Sequence, residues 1–356
     1  MKGKMKAIVK TKAAPGAELK EVDIPKIGPK EVLVKVHAAS ICGSDLHIYQ
    51  WDKWSQSKVN PPVTIGHEFS GEVVELGSDV TTLNVGDIVS SETHFVCGHC
   101  EQCRTNQAHI CPNTVILGIN VNGVFAEYVA IPEASAWKNT LDVDPAYLAI
   151  QEPLGNAVHT ILSGDTVGKS ISIVGCGPVG ALAIPVAKVA GVKTLIAVEP
   201  NEYRAKLAYK LGADIVINPL KDDPIKAIKE VTDGQGVDIV AEMSGNPIAL
   251  KQALKYVKPG GRISLLGLAS EEISLDIAND VIFKGITIKG IVGRRLFETW
   301  YQVKGILESK DFNIMPAVTH RFKLEDFEEA FDLMQKGNSG KIALYPDNEI
   351  FNKYSK

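Results

Sequence analysis

The sequence predicts an α/β protein in two parts, a mainly β N-terminal region followed by a doubly wound parallel sheet. The first 155 residues hold short β-branched runs separated by Gly, Pro and Asp turns. From residue 156 to residue 293, short apolar strands alternate with helical stretches. This alternation is typical of a parallel sheet covered by helices on both faces. A chain of 356 residues is long enough for two separate cores.

The N-terminal region, residues 1–155, is predicted to form short strands bounded by turn-forming residues. Its clearest strands are Glu31–His37, Gly71–Leu76 and Phe125–Ile131. A cysteine-rich lobe at about residues 95–113 interrupts the strand pattern. We therefore expect a β domain that carries a compact lobe on one side.

The second region, residues 156–293, is predicted to alternate strand and helix. The uncharged stretch Ser170–Ala187 approaches transmembrane length, but glycines and prolines punctuate it, which favours a strand, a turn and a helix start. The remaining tail, residues 294–356, holds a predicted helix at Leu324–Gln335 and a strand at Lys341–Tyr345. The predicted strands of the second region are Ile171–Val174, Thr194–Val198, Ile215–Ile217, Val237–Ala241 and Arg262–Leu266, and its helices include Asn201–Leu211 and Pro224–Thr232.

Composition and charge narrow the class of protein. The hydrophobic fraction is 45% and the charged fraction is 22%, as in ordinary soluble domains. The formal net charge is −4 with both signs interspersed, which gives no footprint for nucleic acid or an anionic membrane. The first residues carry lysines without the apolar core of a secretory signal, so we expect a cytoplasmic protein.

Four cysteines are the most informative local feature. Cys97, Cys100, Cys103 and Cys111 lie within fifteen residues, and four thiolates at this spacing can hold one tetrahedral zinc ion. Two disulfides or four unrelated buried thiols are the alternatives. A reducing compartment favours the metal. Four sulfur ligands leave no open position, so we expect a structural zinc and place the chemistry elsewhere.

A dinucleotide site is predicted at the start of the second region. Gly175, Gly177 and Gly180 form a G-x-G-x-x-G turn that follows a predicted strand and opens a helix. Glu199 ends the next strand, where its carboxylate can accept both ribose hydroxyls of NAD and repel the 2′-phosphate of NADP. Arg204 could pair with a 2′-phosphate, stack on adenine or lie solvated on a helix. With Glu199 present, NAD is favoured.

A second set of possible metal ligands lies in the N-terminal region. Cys42, His67 and Glu68 offer a thiolate, an imidazole and a carboxylate, and Glu152 adds a second carboxylate. Three protein ligands plus water or substrate form the open site that a catalytic zinc needs.

These motifs, in this order, resemble the zinc-dependent medium-chain alcohol dehydrogenase family over nearly the whole chain. More narrowly, residues 45–54, 152–159 and 293–301 resemble segments of the members that oxidise L-threonine. Ser44 departs from those members, which usually carry threonine at this place. The hydroxyl is retained, so we expect its role to survive.

The resemblance implies a GroES-like catalytic domain, made from the N-terminal part and the C-terminal tail, that closes on a Rossmann domain over NAD. It also implies that Cys42, His67 and Glu68 hold the catalytic zinc, with Glu152 as a fourth or alternating ligand. A homotetramer is implied as well. Further cofactor contacts are expected from Pro178, Val179, Leu266, Gly267, Leu268, Ile291 and Val292.

The expected reaction is oxidation of the C3 hydroxyl of L-threonine to 2-amino-3-oxobutanoate with hydride transfer to NAD. Zinc would act as a Lewis acid on the hydroxyl, and Ser44 and His47 would relay the proton outwards. A surface or cofactor-phosphate role is the alternative for His47. Arg294 and His94 are candidates for the substrate carboxylate and Glu152 for its ammonium group. Arg294 could instead form an interdomain salt bridge.

Two rival functions remain at this level. A polyol or 2,3-butanediol dehydrogenase of the same family would keep the same zinc and hydride chemistry. A non-catalytic NAD-binding sensor is the other rival, but it has no need of an open metal position.

Trp51 and Trp54 could wall the substrate pocket, fill an oligomer contact or share one helix face.

Overall fold

The computed structural model describes residues 3–140, 142–269, 271–310 and 312–355. The chain divides into two compact units, one of Met1–Pro153 with Val318–Lys356 and the other of Leu154–Ala317. The sequence places the end of the nucleotide-binding domain at residue 293, whereas the second unit continues to Ala317. The segment between these two positions contains a helix at Glu298–Leu307, whose Trp300 and Val303 are buried.

Strands dominate the first unit and alternate with helices in the second. The strands are β1 (Lys4–Lys10), β2 (Glu18–Asp23), β3 (Glu31–Ser40), β4 (Val63–Thr64), β5 (Glu68–Leu76), β6 (Ile88–Ser91), β7 (His94–Phe95), β8 (Val115–Ile116), β9 (Tyr128–Pro132), β10 (Ala136–Lys138), β11 (Ser170–Val174), β12 (Thr194–Val198), β13 (Ile215–Ile217), β14 (Val237–Glu242), β15 (Val257–Leu265), β16 (Thr287–Gly290), β17 (Val318–Lys323) and β18 (Lys341–Tyr345).

Short helices connect these strands and cover the sheets. They are α1 (Gly43–Gln50), α2 (Lys53–Gln56), α3 (Glu101–Arg104), α4 (Pro145–Ala149), α5 (Gln151–Ile161), α6 (Gly180–Val189), α7 (Glu202–Lys210), α8 (Pro224–Glu230), α9 (Pro247–Tyr256), α10 (Glu298–Leu307), α11 (Phe327–Gln335) and α12 (Asn348–Tyr354). None of the helices in the described residues combines the length and the apolar character needed to cross a bilayer.

The first unit is organised around a sheet with the strand order β10-β6-β5-β3-β18-β17, and β9 also pairs with β3. In this sheet Ser40 on β3 lies opposite Glu68 on β5 and opposite Ala343 on β18. The C-terminal strand β18 therefore adjoins the two strand ends from which Cys42 and Glu68 extend. Buried residues such as Val34, Phe69 and Phe331 form the core of this unit.

The second unit holds a parallel sheet with the strand order β13-β12-β11-β14-β15-β16. The order reverses between β11 and β14, which makes the carboxyl ends of these two strands the switch point where a dinucleotide binds in such sheets. Buried side chains such as Val174, Ile196 and Val240 fill the core below the sheet. The Rossmann fold expected from the sequence is confirmed.

Two local expectations differ from the structure, and so does one of the alternatives for Trp51 and Trp54. The predicted strand Phe125–Ile131 begins only at Tyr128, because the backbone of residues 123–125 instead pairs with residues 64–66. The predicted helix at Leu324–Gln335 starts with a 3₁₀ turn before α11. Trp51 and Trp54 do not share a helix face, since Trp51 ends α1 in the left-handed region at φ 58° and Trp54 lies in α2.

Candidate active site and metal centres

The four cysteines of the lobe converge on one point. The Sγ atoms lie 3.7 Å apart for Cys100 and Cys111, 3.6 Å for Cys111 and Cys97, and 4.0 Å for Cys97 and Cys103. Zn–S bonds of about 2.3 Å in a tetrahedron give S–S separations of about 3.8 Å. All six cysteines of the chain are free. The cluster therefore fits a closed zinc site and not two disulfides.

Cys42, His67 and Glu68 also come together, since their ligand atoms all lie within 4.8 Å of one another. Cys42 caps the start of α1, where its N–H donates to Asp45 Oδ2 at 2.8 Å. His67 and Glu68 follow Gly66, whose φ of +88° and whose contact with the Phe125 ring exclude any side chain. A tight glycine turn and a helix start thus aim the three ligands at one place.

The surroundings of His67 fit a metal ligand. Its Nδ1 lies 3.4 Å from Oδ1 of the fully buried Asp45, and neither atom has a hydrogen-bond partner among the described residues. Burial alone would lower the pKa of His67, but Asp45 and the Cys42 thiol raise this pKa well above its usual value. Thiolate, imidazole and carboxylate form a donor set with room for a further ligand.

Glu152 lies in the first turn of α5 and is buried. Its Oε1 accepts a hydrogen bond from Thr93 Oγ1 at 3.0 Å. The carboxylate of Glu92 in turn accepts the backbone N–H groups of Thr93 and His94, each at 2.9 Å. This places His94, a candidate substrate residue, on the same turn as the hydroxyl that orients Glu152.

Ser44 and His47 lie one helical turn apart on α1 and so share a face. The Nδ1 atom of His47 lies 2.6 Å from Asp52 Oδ2, and the same carboxylate caps α2 through the Ser55 N–H. An ionised carboxylate accepts only, so Nδ1 carries the proton and Nε2 is left as an acceptor. The His47 side chain is 51% exposed, which gives a transferred proton a route to water.

Arg294, the other candidate for a substrate carboxylate, is fully buried in the second unit. Its guanidinium donates to Asn156 Oδ1 on α5 at 3.0 Å. The stem of the side chain fills the space above Gly155, where an added Cβ would lie 2.6 Å from Arg294 Cγ.

The glycine-rich turn lies at the carboxyl end of β11. Gly175 has φ +83°, and an added Cβ at Gly180 would lie 1.9 Å from the Gly175 carbonyl oxygen, so both positions require glycine. Around Gly177 the nearest atom lies 3.9 Å from an added Cβ, which leaves space for a ligand against the backbone. Pro178 and Val179 complete the turn before α6. Burial raises the pKa of the Cys176 thiol, as expected for an inert core residue.

Glu199 and Arg204 line the same cleft, which has a volume of about 560 Å³. Glu199 is buried, and its carboxylate accepts the N–H of Cys176 at 2.7 Å and the N–H of Asn201 at 2.8 Å. The buried Nε of Arg204 has no hydrogen-bond partner among the residues that the structure describes. An orphaned donor beside a fixed carboxylate fits a polar ligand such as a nucleotide.

The other predicted cofactor residues lie at the same edge of the parallel sheet. Leu266, Gly267 and Leu268 follow the carboxyl end of β15, and the N–H groups of the first two donate to the Glu242 carbonyl. Ile291 and Val292 follow the carboxyl end of β16. Ligands bind at this edge in doubly wound sheets.

Comparison with known proteins agrees with this geometry. The profile of the alcohol dehydrogenase GroES-like domain matches residues 28–141, and that of the zinc-binding dehydrogenases matches residues 178–309. The chain therefore belongs to the zinc-binding alcohol dehydrogenase family and is an oxidoreductase. Within this family, it is 53% identical over 347 residues to the L-threonine 3-dehydrogenase of Caldanaerobacter subterraneus subsp. tengcongensis, which covers 97% of this chain and 100% of that protein.

Solved structures show the same architecture at lower identity. A putative zinc-binding dehydrogenase from Sinorhizobium meliloti 1021, bound to NADP, matches 97% of this chain and all of its own with a TM-score of 0.89 and 30% identity. The 2R,3R-butanediol dehydrogenase from Bacillus subtilis matches 96% of this chain and all of its own with a TM-score of 0.87 and 31% identity. The predicted GroES-like and Rossmann domains are thus confirmed as the fold class.

Sequence reasoning missed three residues around the candidate metal ligands. Asp45 lies beside His67, Thr93 donates to Glu152, and the buried Lys341 contacts Glu68. Asp45 could have been found from its place three residues after Cys42, which is the spacing of a helix cap. No local signal marks Lys341, because it lies in a C-terminal strand far along the chain from Glu68.

Proposed function

We propose that this protein is a zinc- and NAD-dependent L-threonine 3-dehydrogenase, which oxidises the C3 hydroxyl of L-threonine to 2-amino-3-oxobutanoate. The observation that carries the proposal is the 53% identity, over essentially the full length of both chains, to a protein of that name. The butanediol dehydrogenase is only 31% identical, which supports a diol substrate less well. Diols therefore serve as the competing substrates in the test.

We propose that Cys42, His67 and Glu68 hold the catalytic zinc, with Glu152 as an additional or alternating ligand. Zinc at this place would supply Lewis acidity to the substrate hydroxyl. The Asp45 carboxylate lies beside the imidazole of His67, and Thr93 donates a hydrogen bond to the carboxylate of Glu152. We assign the second, purely structural zinc to the four-cysteine cluster.

Proton release is assigned to Ser44 and His47. Ser44 would pass the hydroxyl proton along the face of α1 to Nε2 of His47, which the Asp52 contact leaves as the acceptor nitrogen. From the half-exposed imidazole the proton can reach water.

The cleft at the carboxyl ends of β11 and β12 is assigned to the dinucleotide, and NAD would accept the hydride there. The turn Gly175–Gly180 offers backbone N–H groups and a helix N-terminus to the pyrophosphate. The Glu199 carboxylate supports NAD over NADP, because it would repel a 2′-phosphate.

We propose that His94 and Arg294 serve the carboxylate of the amino-acid substrate and that Glu152 serves its ammonium group. Arg294→Ala would then raise KM for L-threonine far more than for 2,3-butanediol. Equal losses on both substrates would instead assign Arg294 to holding α5 through Asn156.

A cytoplasmic homotetramer is proposed as the working form. A reducing compartment keeps thiols available for zinc. Within the described residues, strand β16 lies at the edge of the parallel sheet and is exposed along its whole length. Its unpaired edge could pair with another subunit. Light scattering after size exclusion would give the subunit number, and fractionation of the source cells would give the location.

The decisive experiment measures NADH formation with L-threonine and NAD, beside D-threonine, sorbitol and 2,3-butanediol. Strong activity on L-threonine alone is expected. Preference for a diol would overturn the threonine assignment while leaving the family and the hydride chemistry in place. One bound zinc ion per subunit without turnover on any of these substrates would revive a non-catalytic NAD-binding role.

A further inference from the structure

Lys341, at the start of β18, carries a charge that none of the roles above uses. Its side chain is fully buried, and its Nζ lies 2.7 Å from Oε1 and 2.5 Å from Oε2 of Glu68. The same Nζ donates to the carbonyl oxygen of Ile41 at 3.2 Å. Lysine is rarely buried unless it is paired. Both oxygens of Glu68 are therefore engaged by one ammonium group.

The Glu68 carboxylate is also one of the three ligands that converge with Cys42 and His67. A metal ion bound by this group has to share Glu68 with Lys341. Both side chains of the pair are fully excluded from solvent, so salt and water screen their charges weakly. A fixed positive charge beside the ligand opposes the binding of a divalent cation.

We propose that Lys341 is a positioning residue that holds the Glu68 carboxylate and keeps it a releasable ligand of the metal at Cys42 and His67. The inference rests on the proposed function, because it requires a metal at that group. Removing the lysine charge should therefore slow the release of the metal, because a competitor for Glu68 is lost. If the pair had only a structural role, removing the lysine would loosen the site and speed the release.

The test compares zinc release from wild-type holoenzyme and from Lys341→Met into an excess of a chromogenic chelator. Met keeps the length and apolar character of the side chain without its charge. Zinc should leave the Cys42 group about tenfold more slowly, or slower still, in Lys341→Met. Release from the four-cysteine cluster should not change, which provides an internal control. Lys341→Arg restores the charge and should bring release back towards the wild-type rate.

A second pair of variants covers the case in which Lys341→Met does not fold. Glu68→Gln and the double variant Glu68→Gln/Lys341→Met leave no unpaired buried carboxylate beside β18. Because Lys341 acts through the Glu68 carboxylate, the double variant should release zinc at the same rate as Glu68→Gln alone. A different rate in the double variant, or equal or faster release from a folded Lys341→Met than from the wild type, overturns the inference. A wild-type protein that binds only the four-cysteine zinc overturns the proposed active site as well, so the two failures are distinguishable.

Discussion

Cofactor preference should depend on the charge of Glu199, and Glu199→Gln tests this at nearly constant shape. The carboxylate has about four acceptor positions. Two of them are taken by the N–H groups of Cys176 and Asn201, so two remain for the ribose hydroxyls of NAD. The amide of Gln offers a single acceptor oxygen and two donors instead. It cannot satisfy both backbone N–H groups and also accept from the ribose.

The size of the effect follows from these bonds. A hydrogen bond to a charged acceptor contributes about 1.5–3 kcal/mol, so its loss should lower kcat/KM for NAD by about 10- to 100-fold. The 2′-phosphate of NADP would no longer be repelled by the carboxylate. The kcat/KM for NADP should therefore fall less than that for NAD, or rise. With little change for NADP, the ratio of kcat/KM for NAD to that for NADP should therefore drop by about 10- to 100-fold. One unpaired buried N–H should also reduce the free energy of unfolding by about 1–3 kcal/mol.

Steady-state kinetics with both cofactors at saturating substrate give this ratio. Glu202→Gln is the matched control, because Glu202 lies on α7 in the same unit, pairs with Lys221 and is 69% exposed. It removes the same charge without touching the carboxylate that faces the cleft. A ratio in Glu199→Gln no lower than in Glu202→Gln would refute the role of Glu199 in cofactor choice.

Four further changes test separate parts of the structure. Asp52→Asn should lower turnover by about tenfold with zinc content unchanged, because the 2.6 Å contact that fixes the His47 tautomer is lost; turnover and metal analysis are the measurements. Cys103→Ser should remove one zinc per subunit and lower Tm by about 5 °C or more, as read by metal analysis and thermal melting. Gly66→Ala should yield little folded protein, since φ is +88° and the new Cβ would lie 2.3 Å from an aromatic ring; soluble yield and circular dichroism report it. Burial lowers the pKa of His159 in the folded protein below its value in the unfolded chain. The stability that this difference gives is present above the unfolded pKa and is lost as pH falls. His159→Gln should therefore flatten the decline in Tm between about pH 7 and pH 5.

Each of these changes has a comparison that separates its specific effect from general damage. His47→Asn should match Asp52→Asn in direction, and full turnover in both would remove the relay from α1. Cys176→Ala should keep both zinc ions, so loss of metal there would contradict the assignment of the lobe. Gly305→Ala, where an added Cβ meets nothing within 4 Å, should fold normally. An unchanged acid decline in His159→Gln would mean that other groups titrate.

Local spacing alone determined much of this protein. The four cysteines lie within fifteen residues, so their convergence needs only a short loop, and the structure places their sulfurs at zinc-compatible distances. The glycine-rich turn and Glu199 follow two successive strands, and parallel pairing brings those strand ends together by rule. Predicting such features does not require exact bounds for every element. The strand predicted for Phe125–Ile131, for example, begins only at Tyr128.

Only the tertiary structure showed which residues contact the candidate metal ligands. Lys341 meets Glu68 only because β18 returns from the C-terminus to pair with β3, and a lysine in a short strand carries no sequence signal of burial. Thr93 reaches Glu152 through a turn that the carboxylate of Glu92 organises. The sequence thus predicted the fold class and named candidate metal ligands, of which the structure brings the four cysteines together and also Cys42, His67 and Glu68. Lys341 and Thr93, which contact Glu68 and Glu152, are brought there by the pairing and packing of distant segments. Only the folded chain reveals those contacts.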